Sequence, residues 1–86
     1  MILAFKVLIE KKVSKQIEGL IGDTKDRIID ALRELESGFS ARLDIKKLKG
    51  TKNHYRVRVG DYRILFVLES NITYVYDVSH RRNVYK

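Results

Sequence analysis

Between residues 55 and 79 three strand-forming runs alternate with two links of two residues each, and nothing else in the sequence constrains the fold as strongly. Tyr55–Val59, Tyr62–Glu69 and Ile72–Ser79 are dense in β-branched and aromatic residues. Gly60-Asp61 and Ser70-Asn71 join them, and links this short connect antiparallel neighbours. The segment therefore reads as an antiparallel meander. In its first strand Tyr55, Val57 and Val59 share one side, and Arg56 and Arg58 share the other. The middle strand is apolar on both faces, with Ile64 and Phe66 on one and Leu65 and Val67 on the other, which places it centrally.

Upstream the apolar period changes. Ile2 to Ile9 reads as a first strand. Val13, Ile17, Leu20 and Ile21 then recur at helical spacing, with Gly22 expected as a left-handed cap. Asp23 is placed to cap a second helix and Asp26 to sit in its first turn. Ile28, Ile29, Leu32 and Leu35 form its apolar stripe, and Gly38 is the natural stop. Two helices so closely joined form a hairpin. Residues 39–54 are mostly polar and basic, with Leu43, Ile45 and Leu48 as anchors. The expected fold is α+β, in the order β-α-α-β-β-β, with the first strand completing the sheet. The inward face should use Ile17, Leu20, Ile28, Leu32, Leu35, Val57, Ile64, Phe66, Tyr74 and Tyr76.

At 86 residues the chain suffices for one domain spanning 1–86. It contains no cysteine, which excludes disulfides, thiol nucleophiles and thiolate metal sites. Apolar runs such as Ile64 to Leu68 fall far short of the ~20 residues that span a bilayer, and the N-terminus does not read as a signal peptide. A soluble, cytoplasmic protein is expected. The net charge of +7 is unevenly distributed. Residues 1–40 carry seven basic and seven acidic side chains, whereas residues 41–86 carry eleven basic against four acidic. All the excess lies in the C-terminal half, which points to a polyanionic partner, either nucleic acid or an acidic protein.

Most catalytic classes find no footing. His54 and His80 stand apart with no carboxylate at ligand spacing, and neither a phosphate-cradling loop nor a nucleophile elbow is present. No cofactor or metal is called for. The positive constellation is basic: Arg56, Arg58 and Arg63 in the strands, Arg81, Arg82 and Tyr85 in the tail, and Lys46, Lys47, Lys49 and Lys52 on the approach. Arginine offers a planar fork to phosphate oxygens and stays charged at any working pH. Tyrosine can stack on a base or transfer a proton. A basic face that merely keeps the sheet solvated would also use arginine, and composition alone does not separate the two.

The runs Lys47-Leu48-Lys49-Gly50, Tyr55-Arg56-Val57-Arg58-Val59-Gly60-Asp61-Tyr62-Arg63-Ile64 and Val78-Ser79-His80-Arg81-Arg82-Asn83-Val84-Tyr85 together resemble the RelE family of the RelE/ParE toxin superfamily. The resemblance covers essentially the whole chain. It implies a toxin that enters the ribosomal A site and cuts messenger RNA there, held in check by an acidic, RelB-like antitoxin. It carries the catalytic positions onto Arg56, Arg58, Arg63, Arg81 and Tyr85, with Arg82 an alternative to Arg81. Lys47, Lys49, Lys52 and Arg82 would add RNA contacts. One departure stands out: well-known active members have lysines where this chain has Arg56 and Arg58. An arginine almost never deprotonates, so the general base falls to Tyr85 or Lys49. Two other outcomes fit the same fold, a ParE-like inhibitor of DNA gyrase and a non-catalytic basic module that binds RNA or a partner.

Overall fold

The computed structural model describes residues 6–38 and 42–80. Its elements are β1 (Lys6–Ile9), α1 (Lys11–Glu18), α2 (Gly22–Leu35), β2 (Asp44–Lys47), β3 (His54–Val59), β4 (Tyr62–Glu69) and β5 (Ile72–His80). The strands form one sheet in the order β1-β5-β4-β3-β2. β4 is central, as its two apolar faces require. β1 runs parallel to β5, and every other pairing is antiparallel. Residues 2–5 of the expected first strand lie outside the described residues.

β2 has no counterpart among the expected elements. It pairs with β3 from Asp44 opposite Arg58 to Lys47 opposite Tyr55 and so turns the meander into a four-stranded antiparallel unit. A main-chain bond from the Leu48 amide to the His54 carbonyl (2.9 Å) and a side-chain bond from Thr51 Oγ1 to the Leu48 carbonyl (2.7 Å) close the connecting loop. The two shorter links behave as their composition demands. Ser70 and Asn71 both have positive φ (47° and 65°), the pattern of a type I′ hairpin. At the other link Gly60 takes φ +59°, and a Cβ there would come within 3.1 Å of the Arg27 guanidinium.

The helices cover one face of the sheet. Val13 and Ile17 of α1 and Ile28, Ala31, Leu32 and Leu35 of α2 are buried against Val57, Ile64, Phe66, Val75 and Val78. Tyr55 stacks on Phe66 with ring centroids 5.6 Å apart. Burying a side chain such as Phe66, Leu35 or Ile28 contributes roughly 1.5–3 kcal/mol each. α1 ends at Glu18, earlier than its apolar stripe suggests: the Gly19 amide makes the last i→i−4 bond, to the Lys15 carbonyl, and the Leu20 amide already turns to the i→i−3 carbonyl of Ile17. Leu20 still packs on the core from the connector, while Ile21 is 85% exposed. Gly22 is left-handed as expected, but it opens α2; Ile21 occupies the N-cap position, and Asp23 falls in the first turn.

Tyr74 and Tyr76 do not face the helices. Val75 pairs with Phe66 and Val78 with Ile64, both on the covered side, and Tyr76 is the extra residue of a β-bulge between them. The bulge resets the alternation, so Thr73, Val75 and Val78 are the buried residues of β5.

Candidate functional site

The register lays out the helix-free face in transverse rows. One row runs from Asp44 through Arg58 and Arg63 to Ser79, across β2, β3, β4 and β5. The next holds Lys46, Arg56, Leu65 and Asp77, and a third holds His54, Val67 and Tyr74. Arg56, Arg58 and Arg63 are thus brought together by strand alternation and two-residue turns alone.

Their environments differ. The Arg56 side chain is only 12% exposed: it lies beside Leu65 and sends Nη1 to the Asp44 carbonyl (3.1 Å) and carboxylate (3.3 Å). Its charge is partly engaged, and its stem covers apolar surface. Arg58 is exposed and stands directly opposite Arg63. Directly opposed like charges oppose sheet formation by a few tenths to about 1 kcal/mol. The fold tolerates that, with Asp44 in the same row as a partial counter-charge.

The lysines are dispersed. Lys49 and Lys52 lie in the β2–β3 loop at the His54 end, and four residue steps of roughly 3.3 Å separate His54 from Arg58, about 13 Å in all. Lys47 pairs with Tyr55 and so takes the helix-bearing side; Lys46 is the β2 lysine beside Arg56. Arg81, Arg82 and Tyr85 lie outside the described residues. β5 ends at His80, whose ring meets Tyr62 edge-on at 5.1 Å.

Several groups on this face were not singled out by the sequence. Asp44 is the counter-charge to the arginines. His54 Nδ1 lies 3.3 Å from the Tyr76 hydroxyl. Burial, and then the neighbouring Asp77 carboxylate, raise the Tyr76 pKa above the usual phenol value. Gln16 of α1 accepts a hydrogen bond from the Val78 amide (3.0 Å) and donates one to Asp77 (3.1 Å). β1 pairs only as far as Val75, so the Gln16 side chain continues the edge bonding of β5 where β1 stops. Among the described residues no cluster of three or more His, Asp or Glu could hold a metal ion.

A strand, a helical pair and an arginine-bearing antiparallel sheet define a class that comparison identifies. The family model described as the ParE toxin of the type II toxin–antitoxin system, parDE, matches residues 7–85. The RelE3 toxin of Methanocaldococcus jannaschii is 36% identical over 93% of this chain and 94% of its own length. The toxin in the RelB–RelE antitoxin–toxin complex from Methanococcus jannaschii superposes with a TM-score of 0.78 at 34% identity, covering 91% of this chain and 94% of that one. The archaeal RelE–RelB complex from Pyrococcus horikoshii gives the same TM-score, 0.78, at 26% identity, with 91% and 96% covered. The chain belongs to the RelE family of the RelE/ParE superfamily and is a toxin of a type II toxin–antitoxin system.

Proposed function

We propose that this toxin is an endoribonuclease that cuts messenger RNA in the ribosomal A site. The observation that carries the reading is the Arg58–Arg63 pair, register partners on neighbouring strands of the helix-free face, with Arg56 one row away. A site that sets two guanidiniums opposite each other suits an anionic ligand such as a phosphodiester. In this reading a base removes the 2′-OH proton, the oxygen attacks the adjacent phosphorus, and an acid protonates the departing 5′-oxygen. Arg58 and Arg63 hold the phosphoryl oxygens and stabilise the charge that builds up in the transition state. Arg56, already tied to Asp44, orients the neighbouring backbone. Arg81 follows in sequence two residues after Ser79, the register partner of Arg63, and is assigned to the same site in this reading. With Lys49 at the far end of the face, proton transfer falls to Tyr85. So little acid–base equipment makes the ribosome's positioning of the substrate part of the mechanism.

The relatives solved with RelB support a RelB-like antitoxin as the partner, acidic enough to meet a +7 chain and covering the arginine rows or displacing the tail. In this reading the toxin acts as a single domain and, because its substrate is on the ribosome, in the cytoplasm. The test is single-turnover cleavage of ribosome-bound messenger RNA by wild type, Arg63→Ala, Arg81→Ala and Tyr85→Phe. Losses of ~10²-fold or more are expected for each arginine variant. Full activity in all three would mean a solvated face, not an active site. Because the matching family model carries the ParE description, DNA breaks by gyrase are scored in parallel, and their appearance without RNA cleavage would replace this reading.

A further inference from the structure

The helix-free face has a second feature, at the end away from Arg58 and Arg63. His54, Val67, Tyr74 and Tyr76 line a pocket of about 420 Å³ whose rim is completed by Glu10 and Lys12. Val67 is register partner to both His54 and Tyr74, so it lies between them. Tyr74 and Tyr76 share this side by alternation with the buried Thr73 and Val75, and the β-bulge resets the phase only after Tyr76. His54 and Tyr76 meet edge-to-face, with centroids 5.7 Å apart and planes at 64°, and their polar atoms are within hydrogen-bond distance. Tyr74 is 39% exposed, so part of its ring is open to a ligand.

We propose that this pocket is a base-binding subsite, receiving one nucleobase of the single-stranded RNA whose backbone runs along the arginine rows. The proposal rests on the RNA-cleaving reading above and adds to it a place where sequence is read. Single-stranded RNA is held by stacking on aromatic rings and by hydrogen bonds to base edges, next to cations that follow the backbone. Each part is present here. Tyr74 offers a ring surface, and Val67 gives an apolar floor. Arg56 stands two residues from His54 along β3, roughly 6.6 Å and of the order of one nucleotide step. With the Tyr76 phenol donating to His54 Nδ1, the remaining imidazole proton lies on Nε2, a donor for a base acceptor. The raised Tyr76 pKa keeps that phenol protonated through the neutral range. Glu10 supplies an acceptor at the rim, which favours bases with an exocyclic amino group over uracil.

The test is an NMR titration of the intact toxin with short oligoadenylate, oligocytidylate and oligouridylate, without ribosomes, followed by the same titration of Tyr74→Ala and Tyr74→Phe. The expected result is movement of the His54, Val67 and Tyr74 resonances, larger for the amino-bearing bases. Affinity should fall on the order of 10-fold or more in Tyr74→Ala and recover in Tyr74→Phe, as the loss and return of one stack require. Shifts confined to Arg56, Arg58 and Arg63, with Tyr74→Ala binding as wild type does, would overturn the subsite and leave the RNA-cleaving reading standing. No shift at the pocket with any oligonucleotide would overturn it too, while ribosome-bound cleavage reports separately on the parent reading. A His54→Gln toxin that binds oligonucleotide normally yet loses single-turnover cleavage would assign this end of the face to proton transfer instead.

Discussion

Replacing Arg58 by threonine separates the cost of the arginine pair from its use. Threonine suits a strand, so the change acts mainly on charge. Arg58 lies opposite Arg63 on one side and Asp44 on the other. Each directly opposed pair contributes roughly 0.2–1 kcal/mol, unfavourable for the first and favourable for the second. Asp44 keeps its 3.3 Å contact with Arg56 after the change. The two effects oppose each other, so the net change in stability should stay within ~1 kcal/mol, a Tm shift of no more than about 4–8 °C in a domain of this size. Cleavage should fall by ~10²-fold, the loss of one transition-state donor, or about 2.7 kcal/mol. Thermal unfolding and single-turnover cleavage on programmed ribosomes measure the two quantities on one preparation. A much larger drop in Tm would make Arg58 a structural brace, and wild-type cleavage would remove it from the reacting centre.

Three further outcomes follow from the packing. Leu32→Ala, at a position 7% exposed in the core, should destabilise by ~2–5 kcal/mol in denaturant unfolding. Gln16→Ala leaves the Val78 amide without its side-chain acceptor and should cost about 1–3 kcal/mol, with amide exchange at Val78 speeding up more than exchange at Ile64. Tyr76 holds its proton longer when folded than when unfolded, so the folded state binds more protons and stability falls as pH rises past the ordinary phenol value near 10.0. Tyr76→Phe should remove that part of the alkaline loss of stability; an unchanged alkaline profile would contradict the assignment.

The meander and its arginine face were legible because two-residue links and strict alternation leave one arrangement. The helical stripes were legible for the same reason at a different period. β2 escaped because Asp-Ile-Lys-Lys offers a single apolar residue; it is an edge strand held by pairing with β3, and only the Leu43–Ile45 spacing hinted at it. Tyr74 and Tyr76 were assigned inward because alternation was carried unbroken along β5, and a bulge cannot be seen in a pattern that assumes none. The arginines could be placed on one face from sequence, but not the counter-charge of Asp44, which depends on β2. The pairing of His54 with Tyr76 spans β4 and was equally hidden.

The central claim is ribosome-dependent RNA cleavage, and end-mapping of one messenger RNA tests it most directly, with the toxin added to the RNA alone and to the RNA positioned in the A site. The account predicts a cut only on the ribosome, leaving a 2′,3′-cyclic phosphate and a 5′-hydroxyl, the ends that 2′-OH attack produces. Equal cutting of free RNA, or no cut in either arm by a toxin that still arrests growth, would contradict it.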